Sequence, residues 1–167
     1  MTSAAIELSP YNTNWPKQFE QEKAFLSPLL APWIGGSIEH VGSTSVPGLT
    51  AKPIIDIMVG VTSLAASKEA IEVLTQNGYC YYPYKPDVMH WFCKPSDAFR
   101  THHLHLIPFD SELWHQRLLF RDRLRNHPEL ANEYQTLKIK LAEQYRDDRE
   151  AYTQKKWPFI KEVLNRQ

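Results

Sequence analysis

Residues 40–61 read HVGSTSVPGLTAKPIIDIMVGV, and this stretch determines the fold that we expect for the chain. An apolar approach ends at residues 42–44, a Pro-Gly turn follows, and residues 52–53 precede a β-branched run that carries one carboxylate, Asp56. The order predicts a strand, a turn of the size of a phosphate group, a short helix and a second strand with an acid at its centre.

The turn after the first strand has the residue types that bind a phosphate group. Gly42 has no side chain and lets the backbone approach a ligand closely. Ser43 and Thr44 offer hydroxyl and backbone N–H groups at an expected helix N-terminus, where the helix dipole favours anions. We therefore predict that Gly42, Ser43 and Thr44 bind phosphate.

Asp56 is the first candidate ligand for a divalent metal ion. It lies in a run of Ile and Val residues that is typical of a buried strand. An ionised carboxylate is unfavourable there unless it is paired, hydrogen-bonded or bound to a metal. Because a carboxylate oxygen is a hard ligand, Mg²⁺ is the natural ion for this position.

Residues 100–107 form the second informative strand. The period of two places His103 and His105 on the same face. A strand His-x-His pair is able to chelate a metal, but two hydrogen-bonded structural histidines leave the same pattern, and the residues alone do not decide between them. Asp56, His103 and His105 are the candidate metal ligands, and together with Lys52 they form the candidate catalytic set.

Three arginines are spaced four residues apart after residue 111, where the sequence changes to helical periodicity. Arg117, Arg121 and Arg125 therefore share one helix face, and Lys138 and Lys156 lie on the two helices that are expected to follow. This ridge is either solvated or placed over the phosphate turn. The candidate phosphate ligands outside the turn are Lys52, Arg121, Arg125 and Lys138.

The sequence leaves open the roles of His40 and of four residues in the aromatic runs. His40 ends a strand, residues 37–41, that we expect to follow a break at Gly35-Gly36. It is either a hydrogen-bonded structural residue or a catalytic group. Residues 79–84 and 88–94 favour an antiparallel hairpin, whose rings either pack in the core or stack on a base. The undecided hairpin residues are Tyr82, Tyr84, His90 and Trp91.

Composition limits the class of protein. The 167 residues fit one domain with its own hydrophobic core. Because 19 Lys and Arg balance 19 Asp and Glu, the chain has no overall attraction to nucleic acid or anionic lipid. Cys80 and Cys93 lack the spacing of a metal or redox pair. With no leader and no apolar run of membrane-spanning length, we expect a soluble cytoplasmic protein.

Gly42-Ser43 and Asp56-Ile57 resemble the signature of the nucleotidyltransferase superfamily, in which a glycine-containing pair precedes a strand with two metal-binding carboxylates. The resemblance implies a nucleotide substrate, a divalent ion and a third carboxylate on the strand next to Asp56, where this chain has His103 and His105. Met58 departs from the pattern, because it stands where the second carboxylate belongs and a thioether is a poor ligand for a hard cation. This departure puts two-metal catalysis in doubt.

A closer resemblance covers nearly the whole chain and is to the GrpB-like family, a branch of that superfamily related to a domain fused to some dephospho-CoA kinases. It implies an α+β fold, with a nucleotidyltransferase-like mixed sheet flanked by helices and a helical C-terminal half. Residues 1–167 are then expected to form a single domain, with a sheet-containing core at 1–110 and a helical part at 111–167. The matching pieces include Tyr11, Trp15-Pro16, Phe19, residues 40–57, HHLHL at 102–106, Phe120-Arg121-Asp122, Tyr134, Tyr152 and Lys156.

Three functional hypotheses follow, and the first leads. It is a nucleotidyltransferase-like protein that binds a nucleotide or other phosphorylated small molecule with a divalent ion, Mg²⁺ or Mn²⁺ before Zn²⁺, and transfers a nucleotidyl group to a small acceptor. The second is a protein that binds a nucleotide or cofactor precursor without turnover, since Met58 replaces a carboxylate. The third is a metal-dependent enzyme of other chemistry that uses His40, His103 and His105 with Asp56. None of them predicts a membrane or polynucleotide partner, and the oligomeric state is not predicted.

Overall fold

A five-stranded mixed sheet forms the centre of the computed structural model, which describes residues 6–166. The strands are β1 (Ile34–Val41), β2 (Ile55–Val61), β3 (Cys80–Tyr82), β4 (His90–Pro95) and β5 (Arg100–Pro108). They stand in the order β1-β2-β5-β4-β3. The central strands β2 and β5 run parallel, whereas every other neighbouring pair is antiparallel. The predicted hairpin is the β3-β4 pair.

Helices flank the sheet, and their ends follow from local sequence signals. The α-helices of residues 6–166 are α1 (Trp15–Leu30), α2 (Ala70–Thr75), α3 (Glu112–Asn126), α4 (Pro128–Gln144) and α5 (Arg149–Asn165). Proline lies in the first turn of α1 and of α4, and the side chains of Ser111 and Asp148 cap α3 and α5. None of the helices in this described part is both long and apolar enough to cross a membrane. The architecture confirms the predicted α+β fold with a helical C-terminal half.

The alternation of side chains gives the sheet two different faces. One face carries Ile55, Ile57 and Val59 of β2 into the largest apolar cluster, together with Leu26 and other residues of α1. The opposite face carries the intervening residues of the same strand towards the C-terminal helices α3, α4 and α5, and Asp56 is one of them. The candidate site therefore lies between the sheet and the helical half.

Gly35 and Gly36 do not break the chain, so the predicted break is wrong. Both lie inside β1, which begins at Ile34. A Cβ on Gly36 would lie 2.8 Å from Cβ of Phe109, and a Cβ on Gly35 would lie 2.9 Å from the Phe109 ring. The two glycines therefore make room for a packed phenylalanine within a strand, and this need does not appear in a local sequence pattern.

Candidate functional site

Asp56 and the two candidate histidines meet on the adjacent parallel strands β2 and β5. Asp56 pairs with His103 in the sheet register, and the next residue on the same face, Met58, pairs with His105. The Nδ1 atom of His103 lies 3.1 Å from Oδ1 of Asp56, and the Nε2 atom of His105 lies 3.7 Å from the same oxygen. The structure thus brings together the residues that strand periodicity selected, while their role as metal ligands stays a prediction.

Asp56 is ionised in this position because its neighbours outweigh its burial. Burial alone opposes ionisation, but the hydrogen bonds and charges of His103 and His105 hold the pKa of the carboxyl well below its usual range. The side chain keeps 28% of its surface accessible. Asp56 is therefore a charged group that a ligand is able to reach.

The hydrogen-bond partners of the histidines assign their protons. Arg117 Nη1 lies 2.9 Å from His105 Nδ1, and since a guanidinium only donates, His105 Nδ1 must accept. Burial, followed by the charge of Arg117, lowers the pKa of His105 to about 4, so the ring is neutral near pH 7 and its proton is on Nε2, towards Asp56. The prediction that His105 binds a metal therefore requires that it lose its contact with Arg117.

His103 offers a different arrangement of its ring nitrogens. Its Nδ1–H donates to the ionised carboxylate of Asp56 at 3.1 Å. Its Nε2 is buried and has no hydrogen-bond partner among the described residues. In the neutral ring this nitrogen carries a free lone pair, which is the arrangement of a carboxylate-oriented metal ligand or general base.

Gly42 fits against Asp56 in a conformation that other residues avoid. Its backbone has φ 72° and ψ −175°, a region that is essentially restricted to glycine. A Cβ at this position would collide with Oδ2 of Asp56 and lie 3.0 Å from its Cβ. Gly42 is therefore needed both for the turn and for the placement of the carboxylate.

The predicted short helix after Gly42 is a single 3-10 turn, residues Ser43–Ser45. Such a turn leaves its first N–H groups without intrahelical partners, but it has little dipole of its own. The Thr44 hydroxyl donates to Ile54 O at 3.0 Å and accepts from His40 Nε2 at 3.0 Å, so it is not free for a phosphate. Only the amides and the Ser43 hydroxyl remain from the predicted phosphate turn.

In this arrangement His40 is a hydrogen-bonded structural residue, which is the first of its two predicted roles. Its ring stacks on Phe19 with centroids 4.9 Å apart, and its Nε2 holds Thr44. Burial lowers its pKa to about 4, which keeps it neutral near pH 7. It therefore connects α1 to the turn and does not enter the cleft beside His103.

Arg117 and Arg121 of the α3 ridge are packed against the sheet, whereas Arg125 is exposed. Arg117 reaches His105, and Arg121 donates to Glu39 at 2.7 Å and to the His40 carbonyl. Arg125 Nε donates to Ser45 O at 2.9 Å. The ridge therefore holds the turn and β1 in place, and the ionic partners of Arg121 make it less available for the predicted phosphate contact.

Three lysines, Lys52, Lys138 and Lys156, form a group that we call the lysine cluster. Lys52 Nζ and Lys156 Nζ lie 5.3 Å and 4.6 Å from the centre of the Tyr152 ring. Lys138 Nζ lies 5.0 Å from the centre of the Tyr134 ring, and its side chain is almost fully buried. The lysine cluster thus combines one residue from the segment before β2, one from α4 and one from α5, and its ammonium groups lie near two tyrosine rings.

The lysine cluster carries positive charge without a direct acidic partner. None of its members takes part in the ion pairs formed among residues 6–166. Burial, followed by the charge of Lys156, lowers the pKa of Lys52 and of Lys138 to about 7. Burial lowers the pKa of Lys156 to about 8, and the nearby charge of Asp56 opposes each of these shifts. Asp56 is thus the anion whose charge acts on all three lysines.

Sequence reasoning missed two tyrosines that shape the site. Tyr134 is buried on α4, and burial raises its pKa to about 12, while its hydroxyl lies beside Ser43. Tyr152 is buried on α5 beneath two lysines. Helical periodicity places both residues on inward faces, but it does not show which residues of a distant segment they meet.

The undecided aromatic residues of the hairpin line the sheet beside His103. Trp91 is buried, and its ring centre lies 5.2 Å from that of His103 on β5. On the other side of β4, the ring centre of Tyr82 on β3 lies 6.0 Å from that of Trp91. Tyr84 is 49% exposed and contacts the edge of Trp91. His90 Nε2 binds the Leu64 carbonyl at 3.0 Å, so His90 is structural, whereas Tyr84 remains accessible to a ligand.

The donors beside Asp56 fit a metal ion only in part. No group of three or more His, Cys, Asp and Glu residues within positions 6–166 is placed to hold one. Met58 is fully buried in the apolar cluster that contains Trp91. It occupies the position at which the superfamily pattern has a second metal-binding carboxylate. Asp56 is therefore the protein group that would hold a divalent ion, and ligand oxygens would have to complete its coordination. His103 Nε2 points away from the carboxylate that Nδ1 contacts, so His103 would bind the same ion only after its ring turns over.

Comparisons with known proteins agree on one family. The family model described as GrpB protein matches residues 5–166. The chain is 36% identical over 165 residues to the glutamate-rich protein GrpB of Alkalihalophilus pseudofirmus, with 96% of this chain and 94% of that protein covered. It resembles the crystal structure of the conserved protein GrpB from Enterococcus faecalis with a TM-score of 0.85, 34% identity and coverage of 95% and 94%.

A more distant relative has the name dephospho-CoA kinase. The chain is 30% identical over 192 residues to the dephospho-CoA kinase of Mycolicibacterium paratuberculosis, and it spans 46% of the length of that protein. The match agrees with the predicted relation to a domain fused to such kinases. Since the family model covers all of the described residues, the chain belongs to the GrpB protein family.

Proposed function

We propose that the protein binds a nucleotide or another phosphorylated small molecule in the cleft between the sheet and the C-terminal helices, with a divalent metal ion at Asp56. The observation that carries this proposal is the lysine cluster, whose charges surround Asp56 without an ion-pair partner of their own among residues 6–166. A phosphate group would supply the missing negative charge. The amides and hydroxyl at Ser43 would contact the same ligand.

The residues of the cleft suit transfer of a nucleotidyl group to a small acceptor. Phosphoryl chemistry depends mainly on positioning and on neutralising charge, and Lys52 and Lys156 would provide both. The His103 Nε2 lone pair, oriented by Asp56, would accept a proton from an acceptor hydroxyl. When bound, a divalent ion would withdraw charge from the phosphate that reacts.

One observation favours a second function, which is ligand binding without turnover. Met58 is fully buried, and its thioether replaces the carboxylate on which two-metal transferases depend. The hypothesis of an imidazole-rich metal enzyme has less support, because His40 is hydrogen-bonded to Thr44. Turnover of a nucleoside triphosphate with Mn²⁺ distinguishes transfer from binding alone.

Isothermal titration calorimetry with ATP, in the presence and absence of Mn²⁺, tests the binding proposal. The wild-type protein should bind ATP more tightly with Mn²⁺ present. The Ser43→Asp variant places a negative charge at the turn and should bind at least about tenfold more weakly. Equal ATP affinity for the two proteins would contradict the role of the turn, and no ATP binding by the wild type with either Mn²⁺ or Mg²⁺ would contradict ATP as the ligand.

A further inference from the structure

Four buried side-chain nitrogens lack a hydrogen-bond partner within residues 6–166, and three of them belong to one region of the cleft. The four atoms are His90 Nδ1, Arg100 Nε, His103 Nε2 and Arg149 Nε. Arg100 Cζ lies 5.1 Å from the ring centre of Trp91, and the ring of His103 lies 5.2 Å from the same Trp91 ring. Because a buried donor without a partner is unfavourable, two such arginines require an explanation.

A β-bulge aims Arg100 into the cleft. Lys94 pairs with His102 and Pro95 pairs with Arg100, so Thr101 has no partner on β4. The extra residue turns the side chain of Arg100 to the face that carries Trp91. The side chain is only 9% exposed, and its terminal nitrogen pairs with Asp97, which leaves the Nε–H without an acceptor.

Arg149 comes to the same region from the helical half. It is the first residue of α5, where the helix dipole disfavours a cation. The ion pairs among residues 6–166 include no carboxylate for it. Burial, followed by the charge of Arg100, lowers its pKa, so the two guanidinium groups lie close enough to repel each other. Asp97 forms an ion pair with Arg100 alone, and at Arg149 its charge only opposes the lowering of the pKa.

Lys52 connects this pair of arginines to the lysine cluster. The charges that act on its ammonium group include those of Lys156, Arg149 and Arg100. The positively charged groups of the cleft therefore extend from the lysine cluster to the arginine pair on the Trp91 side of the sheet.

We propose that Arg100 and Arg149 form a second phosphate subsite, which binds a phosphate group through their unpaired Nε–H donors. Two guanidinium groups suit a phosphate, whose oxygens accept several hydrogen bonds at once. The subsite extends the proposed function, in which the lysine cluster binds the first phosphate. The group it takes is either the terminal phosphate of a nucleoside polyphosphate or the phosphate of a second, phosphorylated substrate.

Calorimetric titration with inorganic phosphate tests the subsite directly. The Arg149→Gln variant should bind phosphate about tenfold more weakly than the wild type, because it loses a charge-assisted donor. Arg146→Gln is the matched control, since this exposed arginine lies three residues earlier and should bind phosphate as the wild type does. Arg149→Lys, which keeps the charge and loses the fork of donors, should fall between them.

Chemical modification supplies a test without a substitution. Phenylglyoxal should label Arg149 of the wild-type protein in the absence of phosphate, and phosphate should protect it, as read by mass spectrometry of peptides. Arg146 should react equally with and without phosphate. Wild-type phosphate affinity in Arg149→Gln, together with a lack of protection at Arg149, would overturn the subsite.

Nucleotides distinguish the two sources of the phosphate. If the subsite holds a terminal phosphate, Arg149→Gln should weaken binding of ATP about tenfold more than binding of AMP. If it holds a second substrate, the variant should bind ATP normally and lose only the binding of inorganic phosphate to the ATP-bound protein. A wild type that binds phosphate through Arg149 but binds no nucleotide would remove the nucleotide from the proposed function and keep the subsite. Normal nucleotide binding by the wild type, with no effect of Arg149→Gln on the binding of any ligand, would remove the subsite and keep the proposed function.

Discussion

The two faces of the central sheet use alternate residues of the same two strands for different purposes. On the α1 side, Ile57 and Leu104 are fully buried and belong to one continuous apolar cluster. On the other side, Asp56 and His103 form a hydrogen bond, and basic residues from three helices surround them. The comparison teaches that one face is apolar throughout, while the other holds, beside the apolar cluster around Trp91, a lysine cluster without an ion-pair partner among residues 6–166.

The largest expected effect belongs to the apolar face. Leu104→Ala removes a fully buried side chain opposite the cleft and should lower the free energy of unfolding by about 2–5 kcal/mol. Urea denaturation measures this loss. The folded variant should keep the phosphate affinity of the wild type, and a large loss of affinity would show that the two faces are not separable.

Gly42→Ala should have the next largest effect, because it joins backbone strain to a collision with Asp56. The φ of 72° and ψ of −175° disfavour alanine by about 1–3 kcal/mol. Gly48 is the matched control, since its φ is also positive, at 82°, but a Cβ there meets nothing within 4 Å. Thermal melts and phosphate titrations of both variants should show a loss of ligand binding for Gly42→Ala alone.

Asp56→Asn removes the anion that the lysine cluster surrounds. The folded pKa of Asp56 is below its ordinary value, so its ionised form stabilises the protein at neutral pH, and this contribution disappears as the pH falls through the folded pKa. The variant should therefore lose about 1–2 kcal/mol of stability at pH 7, and it should lose any stabilisation by Mn²⁺. Asp147→Asn, at an exposed position outside the ion pairs formed among residues 6–166, is the control and should change neither quantity. An unchanged Mn²⁺ response in Asp56→Asn would contradict the metal site.

The smallest effect is a dependence of stability on pH. The pKa of Lys52 and Lys138 is about 7 in the folded protein against an ordinary value of 10.5, so above pH 7 the unfolded chain binds more protons. The cluster should therefore make the free energy of unfolding rise between about pH 7 and pH 10. Asp56, Arg149 and Arg100 are the other charges that act on Lys52. The free energy of unfolding of Lys52→Gln should rise less steeply with pH than that of the wild type. Parallel curves of unfolding free energy against pH would contradict the lowered pKa of Lys52.

Local patterns in the sequence were sufficient to predict the strands that carry the site. A period of two in residues 100–107 places His103 and His105 on one face, and the apolar run around Asp56 identifies a buried strand. The parallel pairing of these strands then makes Asp56 and His103 neighbours. These features depend on residues that are close in sequence, so a pattern is able to reveal them.

The remaining parts of the site depend on contacts between distant segments. The spacing of Arg117, Arg121 and Arg125 predicts a shared helix face, but it does not show that this face packs on the sheet. Arg100 reaches the cleft only because of an unpaired Thr101, which leaves no sequence signature. Sequence patterns therefore predict the carboxylate side of the cleft better than its positively charged side.

Two neighbouring lysines of α5 give the most direct test of the central claim, that the polar face binds phosphate through the lysine cluster. Lys156 lies over Tyr152 in the cleft, whereas Lys155 is exposed on the outer face of the same helix. Calorimetric titration with pyrophosphate at pH 7 should give an affinity about tenfold weaker for Lys156→Gln than for the wild type, and an unchanged affinity for Lys155→Gln. Equal affinities for the three proteins would contradict the account.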